Sequence, residues 1–332
     1  MKRLKRIGLV FALVLGISSF LFAQDPSILL EKAIYTEETL GNLNEAIRLY
    51  QQVLLSAEAA RPVSAMALFR LGMCYQKSGD GEPAHQAFEK LQKLYPEQHE
   101  LISSIPIASS EIAFKPAPWV DGESLQMSIK VPSGHQIGTM IYKFASAMES
   151  GKMAWNVQLI KSSGALYSSA LIETGSFIPI SSIVKEDYTG RDYQARYTPR
   201  QVEHVISGSS SRQKTFPLIR TTYDDQQLVQ ILRCLPLREG FQIDIPIFLS
   251  NSNDALLDAK IVVVAKEKII VPAGMFDCYK IVLTRGNQSP STTYWISADS
   301  HSYIVKAKDN MLLAGTVRRI VELELNSIGI AK

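Results

Sequence analysis

Two periods of apolar residues divide the chain. Up to about Tyr95 the spacing is helical. Leu29, Leu30, Ala33 and Ile34 form one stripe, and Ala46, Ile47, Tyr50, Val53 and Leu54 a second. Leu68, Leu71 and Tyr75 form a third, and Ala84, Ala87, Phe88, Leu91 and Leu94 a fourth. Leu40-Gly41-Asn42, Arg61-Pro62, Gly79-Asp80-Gly81 and Tyr95-Pro96 separate them, and Asn44 is placed to cap the second. This predicts four helices in two hairpins, with a short helix trailing around 97–104. Beyond Trp119 the period becomes two. Leu125, Met127, Ile129 and Val131 alternate with polar residues, and Pro132-Ser133-Gly134 turns the chain into 135–145. Further extended segments follow at 154–161, 165–172, 183–188, 193–198, 201–206 and 214–218. They resume at 241–249, 260–270, 276–283, 293–296, 304–308 and 316–324. Turns about every ten residues make this an antiparallel meander. One amphipathic helix interrupts it. Asp224 and Gln227 have capping-box spacing, Leu228, Ile231, Leu232 and Leu235 form its stripe, and Pro236 ends it. Such a helix is expected to pack across one sheet face.

The first residues are neither pattern. Lys2, Arg3, Lys5 and Arg6 precede an apolar run from Leu9 to Phe22, with Ala23 at a cleavage position before Gln24-Asp25-Pro26. Residues 1–23 are thus expected to be a cleaved signal peptide. An uncleaved anchor is the alternative, since Leu21 is bulky for its position. No Cys follows that would take a lipid. Removing the four basic residues leaves 31 Lys and Arg against 32 Asp and Glu, so the formal charge of +3 is an export signal and not a nucleic-acid footprint. No later segment is apolar for long enough to span a bilayer. The expected location is periplasmic or secreted. The expected domains are helical repeats at 26–106, a Pro-marked linker at 107–118 and a β domain at 119–328.

The second helical hairpin resembles a tetratricopeptide repeat: Leu71, Gly72 and Tyr75 fall on its first-helix positions, Ala84 and Phe88 on its second, and Pro96 at its end. The first hairpin keeps Ala46 and places Tyr50 where Phe88 sits, but has Ile34 for the glycine and Glu37 for the tyrosine. The resemblance implies a peptide- or protein-binding array. Two repeats bury little core, so the array must lean on a protein partner or serve as a packing platform.

A second resemblance covers most of 119–328. Gly138, then Tyr223-Asp224 before Leu232-Arg233-Cys234-Leu235-Pro236-Leu237, then Val271-Pro272-Ala273-Gly274 with Phe276 and Cys278-Tyr279-Lys280, and Tyr294-Trp295-Ile296-Ser297 look like the exported family DUF3108. That family is similar to the LolA and LolB lipoprotein carriers. The implied fold class is α+β: tetratricopeptide-like hairpins plus a strongly curved antiparallel sheet, a half-barrel closed by one packed helix. A lipid or other apolar ligand could then lie in the concavity, lined by Tyr142, Phe144, Trp155, Phe276 and Trp295. The alternative is that these aromatics simply fill the core.

Candidate chemistry is sparse. His85, His99, His135, His204 and His301 have no metal-ligand spacing and are expected at the surface. Ser209-Ser210-Ser211 lacks nucleophile-elbow glycines, and Asn287-Gln288-Ser289 is an incidental sequon. Asp224-Asp225 and Glu186-Asp187 are carboxylate neighbours explained by a helix cap and a solvated strand end. Cys74 reads as a plain hydrophobe. Cys234 and Cys278 either pair as a disulfide or stay as two buried thiols. No cofactor, metal or catalytic residue is assigned. The expected function is non-catalytic binding or assembly in the bacterial envelope, the alternatives being a purely structural module or an envelope hydrolase.

Overall fold

The computed structural model describes residues 25–56, 60–106, 112–186, 189–208, 211–251, 256–286, 291–313 and 317–331. The expected signal peptide, the sequon, Asp187 and part of the serine run lie outside them. The chain forms two compact units, Met1–Ile102 and Ser103–Lys332.

The first unit holds helices α1 (Pro26–Glu38), α2 (Leu43–Leu55), α3 (Arg61–Ser78) and α4 (Gly81–Leu94), before the short α5 (His99–Ser103). Asn42, and not Asn44, caps α2, its side chain accepting from the Glu45 N–H at 3.2 Å. Gly79 ends α3 in the left-handed conformation, which only glycine adopts without a Cβ penalty. Gly72 lets α4 approach closely: a Cβ there would meet the Phe88 ring at 2.5 Å. The degenerate first hairpin is held differently. The Tyr50 hydroxyl donates to buried Glu37 Oε2 at 2.7 Å, and Lys77 donates to Oε1 at 2.7 Å. Burial raises the pKa of this carboxyl, but those bonds and the charges of Lys77 and Arg70 outweigh it and hold it below the usual range. The Glu37 that breaks the repeat pattern is therefore matched by Tyr50.

The second unit is one fifteen-stranded sheet. Its strands are β1 (Glu123–Lys130), β2 (Gln136–Glu149), β3 (Lys152–Lys161), β4 (Leu166–Glu173), β5 (Pro179–Glu186), β6 (Arg191–Thr198), β7 (Gln201–Ser207) and β8 (Arg212–Pro217). The two-residue β9 (Tyr223–Asp224) leads through a 3-10 turn into helix α6 (Leu228–Cys234). Then come β10 (Gln242–Phe248), β11 (Leu256–Val271), β12 (Gly274–Arg285), β13 (Thr292–Ser297), β14 (Ile304–Leu313) and β15 (Val317–Ile330). The spatial order is β8-β7-β6-β5-β4-β3-β2-β1-β15-β14-β13-β12-β11-β10-β9. Neighbours are antiparallel except β9 and β10, which run parallel. The chain folds back once, pairing β1 with β15 through Glu123↔Ile330 and Ile129↔Leu323, and this joins the two meanders into a single sheet.

Alternation decides which side each strand buries. Leu125 and Met127, Tyr142 and Phe144, Val157, Ile261, Ile281 and Leu323 enter one core with Leu228, Ile231, Leu232 and Leu235 of α6. The predicted linker is part of this unit from Ile112 on. Phe114 packs edge-on against Phe177 and Tyr223 at 5.1 and 5.7 Å, and the Lys115 N–H donates to the Cys234 carbonyl.

Candidate functional site

The two ends of the sheet meet through side chains. Inward alternation puts Ser182 on β5, Tyr197 on β6 and His204 on β7 toward one side, with Ser182 beside Ala195 and Ala195 beside His204 in register. Opposite them lie Asp224 of β9, Asp225, Phe248 of β10 and the following Ser250. A small apolar core of Ala195, Tyr197, Val202, Leu218 and Phe248 closes around the join. Because β8 and β9 are not hydrogen-bonded to each other, the curved sheet is unclosed by backbone and held by this seam.

Asp224 is the centre of the seam and is fully buried. Its Oδ2 accepts from Ser182 Oγ and Tyr197 OH, both at 2.5 Å. Its Oδ1 accepts from the Gln226 N–H at 2.8 Å and Ser250 Oγ at 3.1 Å. Asp225 Oδ1 also reaches Ser250, at its N–H (2.9 Å) and Oγ (3.0 Å). Asp224 and Asp225, expected to serve as a helix cap, also converge on one serine. Burial, and then the charge of Asp225, push the Asp224 carboxyl up to about 7 against the hydrogen bonds from Ser182, Tyr197 and the Gln226 N–H, which lower it. His204, expected at the surface, is buried, and burial lowers its pKa. Since the Ser250 carbonyl can only accept, the 2.9 Å contact fixes the proton on His204 Nε2. The capping box does not form: Asp224 caps the 3-10 turn, while Gln227 Nε2 donates to the Phe177 carbonyl at 2.7 Å.

Tyr197 also borders a cleft of about 450 Å³. Ile178, Pro179 and Leu218 give it apolar walls, and Lys152, Arg196 and Arg220 bring positive charge. Arg220 is paired with Asp258 at 2.6 Å, and Lys152 lies 3.9 Å from Glu173.

A second buried network anchors α6. The side chains of Arg233 and Glu123 are 0% and 3% exposed and lie 2.9 Å apart. The guanidinium stands over the rings of Trp119, Phe144 and Tyr303 at 5.3, 4.9 and 5.7 Å, and donates to the carbonyls of Ser302 and His301. This buries the charge of the helix, although Arg233 lies off the apolar stripe of α6.

The five aromatics expected to line an apolar cavity are packed. Tyr142, Phe144 and Trp295 are buried in the main core, and Trp155 and Phe276 are half-buried against it. Trp119 stacks on Phe144 with centroids 5.0 Å apart, and Trp295 donates to Glu267. None of the five borders the cleft described above. Cys234 and Cys278 are both free and buried, as is Cys74, and burial pushes all three thiols up to about 12. The candidate disulfide is thus not formed, each sulfur sitting as a small hydrophobe in apolar packing. Among the described residues, no group of three or more His, Cys, Asp or Glu is placed to hold a metal ion.

The family model for a protein of unknown function, DUF3108, matches residues 114–321, a range that contains both networks. The chain belongs to the DUF3108 family. A tetratricopeptide-repeat model matches 66–97, which spans most of α3 and all of α4. No curated protein matches the chain. Among solved structures, it is similar to a beta-barrel-like protein of domain of unknown function DUF1849 from Brucella abortus. That similarity is at 7% identity and a TM-score of 0.37, over 66% of this chain and 100% of that one. It is also similar to a candidate exported protein with a YmcC-like fold from Bacteroides fragilis, at 10% identity and a TM-score of 0.30, over 65% of this chain and 100% of that one. In the DUF3108 domain, Asp224 and Arg233 are the polar residues that sequence reasoning missed as structural centres. The signal for His204 was present: it shares the inward parity of Val202 and Ile206.

Proposed function

We propose that the protein is an exported, non-catalytic binding and assembly protein of the bacterial envelope. The tetratricopeptide-like hairpins make the protein contact and the DUF3108 domain is the rigid scaffold. The observation that carries this reading is that the buried carboxylate, imidazole and guanidinium of the two networks are engaged by the protein's own groups. Asp224 Oδ2 already accepts two hydrogen bonds, and Oδ1 accepts one from the Gln226 N–H and shares the single Ser250 hydroxyl proton with Asp225, so the carboxylate is occupied by the protein's own donors. His204 spends its Nε2 proton on a carbonyl, and Arg233 is committed to Glu123 and two carbonyls. Packing of the aromatic residues favours scaffolding over an apolar ligand held in the concavity. Among the described residues no helix is long and apolar enough to cross a membrane.

The test is site-specific photocrosslinking in cells from Tyr35, a half-exposed position on α1. A discrete crosslinked protein, lost when Ile28 and Tyr35 are both changed to Ser, is expected. A hydrolytic activity of the purified chain on envelope esters, glycans or peptides, abolished by Asp224→Asn with the fold intact, would replace this reading with the enzyme.

A further inference from the structure

The strand ladders gather one set of turns at one end of the sheet. The pairs Glu149↔Lys152, Ile172↔Pro179, Glu123↔Ile330 and Val271↔Gly274 all lie there, linked by the continuous register from β5 through β1 and β15 to β11. The tips carry apolar side chains in facing pairs. Met148 sits opposite Met153, at 63% and 55% exposure, and Ile270 opposite Met275, at 77% and 61%. Ile178 and Ile330 are exposed at the same end. The inward row of β2 that buries Tyr142 and Phe144 simply continues past the core to Met148. Scattered exposed apolar residues need no explanation, but a row of paired ones along one edge does.

Three features identify what meets this edge. The tips from β4/β5 to β11/β12 follow eight strand spacings, about 40 Å of contour around the curved sheet, and so form a rim of several contacts. The large apolar groups exposed there are Met and Ile, without the Trp or Tyr that anchor protein interfaces. The charges beside the tips mix both signs, Lys152 and Lys268 among Glu149, Glu173 and Asp277, so the edge has no basic excess to draw it to an anionic surface. We propose that this end of the β unit docks on a zwitterionic lipid surface, the Met148/Met153 and Ile270/Met275 pairs entering the boundary between headgroups and acyl chains. Lys152 and Lys268 keep their ammonium groups in the headgroup layer while their stems lie along the apolar tips. The inference is independent of the partner-binding reading above.

The full chain, purified without its leader, is floated with phosphatidylcholine–phosphatidylethanolamine vesicles at low and high salt. Binding is expected at both. The Met148→Ser/Met153→Ser and Ile270→Ser/Met275→Ser double variants should each lower the partition coefficient by about tenfold or more. Ile137→Ser/Leu256→Ser, at the opposite end, should leave it unchanged. As a check without variants, vesicles should slow peroxide oxidation of Met148, Met153 and Met275. No binding to neutral vesicles overturns the proposal, as does binding confined to anionic vesicles and lost in salt. So does a concentration-dependent dimer, abolished by the same substitutions, that accounts for burial of the tips.

Discussion

Tyr197 and Asp224 stand 27 residues apart in the chain, yet the tyrosine hydroxyl donates to the carboxylate at 2.5 Å across the join between the two ends of the sheet. Closure of the sheet here rests on side chains. Tyr197→Phe leaves Asp224 Oδ2 with Ser182 alone and should cost about 1.5–3 kcal/mol, the usual value for a hydrogen bond to a charged group. Urea unfolding measures it. The cost should be larger above neutral pH, where Asp224 is ionised and the bond is charge-assisted.

The same residue sets a pH dependence. The carboxyl is raised from 3.8 to about 7 on folding, so the native state holds the proton more tightly than the unfolded chain. The contribution of this group is fully present below pH 3.8 and is lost as pH rises through about 7. Over that window it should amount to a few kcal/mol, and Asp224→Asn should flatten the profile. A urea-midpoint series from acid to neutral pH in both chains checks this. An unchanged slope in the variant would show that the Asp224 carboxyl titrates alike in the folded and unfolded chains.

The strands and the repeat-like hairpins were legible because they are written in local period: alternation around Leu125 and Met127, and the Gly72–Phe88 contact in the spacing of small and aromatic residues. The seam was not, because its members are distant in sequence and each has an ordinary local reading. Asp224 does cap a turn, and nothing near it announces Ser182, 42 residues away. The packing of the aromatics was not legible for a different reason. Alternation tells which face Phe144 and Trp295 share with the core but not whether α6 and its neighbours fill the space beyond.

Arg233 and Glu123 test how a buried ion pair is tolerated. Removing one charge strands the other without water, so Glu123→Met or Arg233→Met alone should destabilise by about 3–5 kcal/mol. The double Arg233→Met/Glu123→Met should cost less than the sum, because no uncompensated charge remains. Chemical denaturation of the four chains gives the coupling directly.

The three thiols give a sharp readout of the core. All are buried and held near 12, so the reactive thiolate is scarce at neutral pH and the surrounding packing excludes reagents. Intact mass after alkylation should show no label on the folded chain and three labels after unfolding without reductant. Two labels fewer on the unfolded chain would mean that Cys234 and Cys278 had paired.

Gly72 is the sharpest steric position in the helical unit. A methyl group there would sit 2.5 Å from Cε1 of Phe88, well inside contact distance, and a phenyl ring wedged between α3 and α4 has little room to swing away. Gly72→Ala gains helix propensity, worth about 1 kcal/mol, but overpacking costs about 1–3 kcal/mol, and in so tight a contact the second term should win. Phe88→Leu in the same chain frees the space and should recover part of the loss, whereas Phe88→Leu alone should destabilise. Thermal melts of the three variants against the parent separate steric conflict from a general weakness of the hairpin. A Gly72→Ala chain more stable than its parent would show that the two helices can part without penalty.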